Sequence, residues 1–142
     1  MNKAIIISLH EVWRERMKAG EKLLEIRKTR PQGKGPYTVF VYVTGGKGIV
    51  GEFTCDTFYK IDTQEIPAWA LPDSEDGTPY NLEKASCLTR KQLKEYAGET
   101  EKPLWGWHIT QLVNYDRRLS LGDLGVNRAP QSWCYAKIGG AA

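Results

Sequence analysis

The sequence predicts a single α+β domain, a mixed β-barrel with two or three short helices. Three observations carry that prediction. A chain of 142 residues fits one domain and is long enough to bury a working core. Its clearest strand, Tyr37 to Thr44, alternates Val39, Val41 and Val43 against Phe40 and Tyr42. Both faces are therefore apolar, as suits a barrel strand packed inside and covered outside. Two amphipathic stretches open on capping-box spacings and close on glycines, which reads as short helices beside the strands.

In chain order, Ala4 to Ile7 is an apolar run expected as a buried strand. Ser8 and Glu11 have the S-x-x-E spacing, so a helix is expected from Ser8, with Leu9, Val12, Trp13 and Met17 as its buried stripe. Gly20 supplies the left-handed stop. His10, in the first turn, reads as structural or exposed. Next comes a charged strand. Leu24 and Ile26 point to one side, Glu25 and Arg27 to the other, with Lys22 at the entrance. Thr29 to Pro36 is a basic loop rich in Pro and Gly.

Gly45-Gly46-Lys47-Gly48 reads as a hairpin turn, since a phosphate-binding P-loop needs longer spacing before a helix. Ile49 to Ile61 is expected as one strand with a bulge at Gly51. Residues 63 to 88, with Pro67, Pro72, Pro79 and an acidic turn at Asp73–Gly77, read as an inserted loop. Its acidity disfavours phosphate contact, and it offers a contact surface for a protein partner. Thr89 and Gln92 make a second capping box, giving a helix to Tyr96 closed by Gly98. Leu104 to Tyr115 is expected as one long strand, with Trp105, Trp107, Ile109 and Gln111 on one face. Asp116 to Arg118 reads as a turn, Leu119 to Leu124 as a small edge element, and Ser132 to Ile138 as the closing strand.

Hydrophobic residues at 41% and charged residues at 26% are ordinary for a soluble globular protein. The net charge of +3 permits contact with nucleic acid without demanding it. Cys55, Cys87 and Cys134 have no CxxC or Cys/His spacing, so no zinc site is expected and reduced thiols in the cytoplasm fit best. Asp56, Asp62 and Glu65 form no recognisable magnesium set, so neither a metal nor a cofactor is expected. The apolar run at residues 4 to 9 is too short for a signal segment or a membrane span.

An acid and two bases gathered at one strand end can hold a polar ligand or move protons. The plainer alternative is a solvated strand face with a surface ion pair. As a binding module for single-stranded nucleic acid, the chain offers Arg27, Lys28, Arg30 and Lys34 for the backbone and Tyr42, Trp107 or Trp133 for stacking. Glu25 is placed to accept from a base amino group, with Gln131 and Ser132 as neutral hydrogen-bonding groups. Tryptophans are usually core residues. Trp107, beside a glycine and a histidine, is the one expected to be an exception.

Ile7-Ser8-Leu9, a short helix, Gly20-x-Lys22-x-x-Glu25-x-Arg27, a β-rich middle and Trp105-Gly106-Trp107-His108-Ile109 together resemble the ASCH family. The tail Ala129-Pro130-Gln131-Ser132-Trp133-Cys134-Tyr135 looks like the ending of its bacterial and phage members. The resemblance runs from about residue 4 to residue 137, and the stretch 63 to 88 matches no part of it. It implies a PUA-like β-barrel and an RNA-related role. One bacterial branch of the superfamily deacetylates acetylated cytidine with a catalytic Lys, Thr and Glu, and another is reported as a ribonuclease. Carried over, the lysine is Lys22, acting as base or nucleophile, with Glu25 orienting it or moving protons. The threonine that commonly follows that lysine is Leu23 here, and the hydroxyl wanted three residues on is Glu25, which weakens the amidohydrolase reading. The expectation is thus an RNA- or modified-nucleotide-binding domain with a cleft around Lys22, Glu25 and Arg27. The alternative is a small hydrolase on the same cleft, acetylcytidine amidohydrolase-like or ribonuclease-like. Replacing Lys22 and Arg27 by alanine is expected to abolish binding and leave the thermal midpoint nearly unchanged.

Overall fold

Alternating apolar residues lay strands beside one another, and two breaks in those strands pass the chain between two sheets. The computed structural model describes residues 3–62, 70–71, 80–99 and 101–137. Its elements run β1 (Lys3–Leu9), α1 (Glu11–Lys18), β2 (Leu24–Arg27), β3 (Tyr37–Val43), β4 (Gly48–Cys55), β5 (Phe58–Ile61), β6 (Ala70–Leu71), β7 (Tyr80–Asn81), α2 (Leu82–Ser86), α3 (Arg90–Ala97), β8 (Leu104–His108), β9 (Thr110–Leu119), a 3-10 turn at Gly122–Leu124, and β10 (Trp133–Tyr135). One sheet has the order β10-β1-β3-β4-β9, with β1 and β3 parallel and the other pairs antiparallel. A second, antiparallel sheet has the order β2-β8-β5, and β6 pairs with β7.

The α+β class is as expected, but the two main sheets do not close into a barrel among the described residues. Two strands expected to be continuous are each broken in two. Ile49 to Ile61 breaks at Asp56–Thr57 into β4 and β5, and Leu104 to Tyr115 breaks at Ile109 into β8 and β9. Each pair of pieces belongs to different sheets. The two corners are tied together: His108 N–H donates to the Thr57 carbonyl at 3.1 Å, and His108 Nδ1 lies 2.9 Å from Asp56 Oδ1. A bulge is present beside Gly51, one residue before the expected position. Val41 pairs with Gly51 but Tyr42 pairs with Ile49, leaving Val50 as the extra residue.

Three cores follow from strand alternation. Val39, Val41 and Val43 pack with Ile5, Ile7, Phe53 and Trp107. The opposite face of the same sheet sends Ile6 and Phe40 against Ile49 and Leu124. On the second sheet, Leu24 and Ile26 pack with Ile61 and Leu104 under Leu82 of α2 and Leu93 of α3.

Several local expectations are corrected. Ser8 does not cap α1: it is still in β1, its Oγ donating to the Pro130 carbonyl at 2.7 Å and its N–H to the Ser132 carbonyl at 3.0 Å. His10 is the N-cap residue, without a side-chain capping bond. Val12 is exposed rather than part of the buried stripe. Gly20 does take a left-handed φ of 78°. The capping box of Thr89 and Gln92 on α3 forms in full. The expected loop at 63–88 contains α2, whose N-terminus is capped by Asn81 Oδ1 accepting from Lys84 N–H at 3.0 Å. Its acidic turn at 73–77 lies outside the described residues, as does Ile138 at the end of the closing strand. β9 runs straight through Asp116–Arg118, where a turn was expected. Among the described residues no helix is long and apolar enough to cross a membrane.

Candidate functional site

β2 decides what faces the site. Leu24 and Ile26 are drawn into the core beneath α2 and α3, so Glu25 and Arg27 must face the other way. There they meet the end of β1 and the segment entering β10. Arg27 Nη2 donates to the Ser8 carbonyl at 2.7 Å, and Nη1 donates to the Ser132 carbonyl at 3.2 Å and to Ser132 Oγ at 3.1 Å. Lys22 arrives from the turn before β2. Its Nζ donates to the Ser86 carbonyl at 2.6 Å and lies 3.3 Å from Glu25 Oε1 and 5.2 Å from the centre of the Trp13 ring.

Glu25 is the centre of this group. Oε1 faces Lys22, while Oε2 accepts from Arg27 Nε at 3.0 Å and Nη2 at 2.6 Å. The group is not a solvated strand face: Lys22, Glu25 and Arg27 are only 2%, 5% and 9% exposed. Burial pushes the Glu25 carboxyl up, but the charges of Lys22 and Arg27 and their hydrogen bonds outweigh it, leaving it below its ordinary value. It is therefore ionised at neutral pH, and the triad carries one net positive charge.

The triad forms the floor of a cavity of about 390 Å³. Trp13 of α1 and Tyr96 of α3 supply aromatic walls. Thr44, Gln92, Gln131 and Ser132 add neutral hydrogen-bonding groups. His10 sits at the rim, its Nδ1 3.2 Å from Thr44 Oγ1. Among the described residues no three His, Cys, Asp or Glu side chains converge as a metal site requires.

Of the residues expected at the site, Lys22, Glu25, Arg27, Gln131 and Ser132 line this one cavity. Trp107 does not, and its expected exception to burial is corrected. Its ring is fully buried, edge-on to Phe58 and Trp133, and Nε1 donates to the Thr29 carbonyl at 3.3 Å. Trp133 is half-buried against the same core, with Nε1 donating to Thr29 Oγ1 at 2.9 Å, and it does not line the cavity. Tyr42 packs on the far face of the sheet with Ile6 and Phe40. Lys28 lies just outside, its ammonium 5.0 Å from the centre of the Tyr96 ring.

Sequence reasoning missed Trp13, Gln92 and Tyr96 as site residues. The signal for two of them was available. Gln92 and Tyr96 are four apart on α3, on one side of the helix, while Leu93 and Ala97 bury the other. Trp13 was assigned wholly to the core stripe, although its ring is half-buried and faces Lys22.

No family model matches the sequence, and no curated protein matches it. Solved structures do match. The crystal structure of ASCH from Zymomonas mobilis aligns with a TM-score of 0.71 at 18% identity, covering 95% of this chain and 88% of that one. Two variants of that protein align similarly. One carries a tyrosine-to-phenylalanine replacement, with a TM-score of 0.71 at 19% identity over 96% of this chain and 91% of the other. The other carries serine-to-alanine, with a TM-score of 0.73 at 17% identity over 96% and 89%. At this identity the likeness speaks for fold, and over nearly its whole length this chain has the fold of the Zymomonas mobilis ASCH protein.

Proposed function

We propose that the cavity binds one nucleotide unit of RNA, or a modified nucleoside, with the base between Trp13 and Tyr96. The observation that carries this reading is the buried Lys22–Glu25–Arg27 floor beneath two aromatic side chains. A volume of about 390 Å³ suits a small ligand rather than a protein segment. Aromatic walls supply stacking that any base can use. Glutamine side chains at residues 92 and 131 and the Ser132 hydroxyl are suited to reading base edges by hydrogen bonds, and Glu25 is suited to an exocyclic amino group. The reading places the protein in the cytoplasm, with RNA or nucleosides as partners.

A thermal-shift and calorimetric screen of nucleosides, acetylated cytidine and short single-stranded RNAs tests this. A ligand at a hundred times its Kd should stabilise the chain by about 2.7 kcal/mol. Saturable binding that weakens in a Tyr96→Ala variant supports the assignment. A complete absence of shifts across the panel removes it.

A second reading is a small hydrolase on the same floor. It is favoured by Lys22 Nζ standing 3.3 Å from Glu25 Oε1 in the lining of the cavity. Incubation with acetylated cytidine, followed by chromatography for cytidine and acetate, tests the amidohydrolase form, and RNA fragment analysis tests the ribonuclease form. Binding without products in either assay leaves the binding module alone.

A further inference from the structure

We propose that the groove beside the pocket is a second subsite, for the phosphodiester backbone, so that the ligand is a single-stranded oligonucleotide spanning both rather than a free nucleoside. This rests on the nucleotide-pocket reading above. The groove measures about 410 Å³ and is lined by Lys28, Thr29, Arg30, Gln32, Gly33 and Trp105. It adjoins the pocket through Lys28, which lines the groove while its ammonium lies 5.0 Å from the ring centre of Tyr96, a pocket wall.

The two sites differ in how their cations are spent. In the pocket, Lys22 and Arg27 share the one carboxylate of Glu25. In the groove no acidic side chain is present among the described lining residues. Lys28 rests on an aromatic face, and Arg30 bonds carbonyls rather than a carboxylate. Arg30 is also held in place. Its guanidinium lies 4.4 Å from the Phe58 ring centre and 5.3 Å from that of Trp105, while Nε donates to the Pro31 carbonyl at 3.0 Å and Nη2 to the Gly33 carbonyl at 2.6 Å. Neither of those bonds uses Nη1. A guanidinium held over two rings and tied to two carbonyls loses little freedom on meeting an anion. A positive groove running on from an aromatic base pocket is how single-stranded nucleic acid is held.

Fluorescence anisotropy on the full chain, with a labelled mixed-sequence RNA octamer and the four nucleosides as probes, tests this. The octamer should bind at least ten-fold tighter than the best nucleoside, and its affinity should fall with salt. Lys28→Ala should weaken the octamer by about four-fold at 0.15 M salt and lower the slope of log affinity against log salt by about 0.7, as one lost phosphate contact requires. Arg30→Gln should act in the same direction, and both should weaken the octamer more than the nucleosides. Nucleoside binding with no gain for the octamer overturns the groove and leaves the pocket standing. Equal losses on both probes, or an unchanged salt slope in both variants, likewise overturn the groove. Displacement of the octamer by poly-glutamate at equal concentration would assign the groove to an acidic protein segment and refute the proposal. A chain that binds neither probe loses the pocket reading and the groove with it.

Discussion

Replacing Glu25 by glutamine isolates what the triad contributes. The change keeps the side chain's size and one acceptor oxygen, but removes the carboxylate that both Lys22 and Arg27 face. Lys22 keeps the Ser86 carbonyl, and Arg27 keeps the Ser8 carbonyl and Ser132. Among the described residues neither retains a counter-charge. Breaking a buried ion pair by removing one partner costs about 3–5 kcal/mol. The acceptors that remain put Glu25→Gln at the low end, about 3 kcal/mol, which at roughly 3 °C per kcal/mol for a chain of this size lowers the thermal midpoint by about 10 °C. Urea titration should show a lower midpoint at unchanged m-value. The pH dependence adds a second readout. The Glu25 carboxyl lies below its ordinary value of 4.5 when folded, so the unfolded chain binds more protons between the two values. Its stabilisation is complete above pH 4.5 and is lost as pH falls through the folded value. Glu25→Gln should flatten that part of the acid limb. A midpoint within 2 °C of wild type and an unaltered acid limb would show that the charges behave as exposed pairs, worth about 0–1 kcal/mol, and would refute the reasoning. The same burial predicts that alanine at both Lys22 and Arg27 lowers the midpoint, against the expectation from sequence, because that pair of changes strands Glu25.

Tyr96→Ala removes a wall that is 38% exposed, so stability should change by less than about 1 kcal/mol while nucleoside binding weakens by about 1–3 kcal/mol, the value of one base stack. Calorimetry and a thermal melt on the same sample separate the two, and unchanged affinity would take the ring out of the site. Trp107→Ala should cost about 3–5 kcal/mol through the cavity it leaves, read by urea unfolding. If it instead melts normally and loses nucleoside binding, Trp107 belongs to the site after all. Gly51→Ala places a Cβ 2.5 Å from the Val113 carbonyl oxygen, so the β4–β9 pairing must shift. A loss of about 1–3 kcal/mol is expected, and a neutral result would show that the pairing yields freely.

Alternation was legible in the sequence, and with it the faces of β2 and β3. Period-2 logic separated Glu25 and Arg27 from Leu24 and Ile26 correctly, but it does not say whether a polar face meets water or a second layer. That depended on Ser8 and Ser132, far away in the chain. Ser8 shows the same limit. Its S-x-x-E spacing matches that of Thr89, yet the hydroxyl is taken by the Pro130 carbonyl, 122 residues on, and the strand continues where a cap was expected. Local chemistry proposes a partner, and a tertiary contact outbids it. The two strands expected to be continuous break at Asp56–Thr57 and Ile109, where no proline or glycine marks the break. Trp107 was given the right strand and the wrong surroundings, since nothing in the alternation of β8 tells the core side from the solvent side. The walls at Trp13 and Tyr96 come from different helices, and only packing brings them together.

A buried ion triad is a poor device for stability, because apolar side chains of similar volume would fill the same floor without desolvating charge. Its place beneath an open cavity is therefore best understood through what touches it from above. The geometry divides the basic residues by their partners: Lys22 and Arg27 share the Glu25 carboxylate, while no carboxylate among the described residues lines the groove with Lys28 and Arg30. One strand sets this division. Residues 25 and 27 point into the pocket, residues 24 and 26 into the core under α2 and α3, and residue 28 leaves the strand at the groove. A one-residue slip of β2 against β8 would send Leu24 and Ile26 into the pocket and bury Glu25 and Arg27 in an apolar core without Ser8 or Ser132 to receive them. The alternation that holds the second sheet together is thus the same one that places the charges, so the fold cannot keep its core in another register and still present the site.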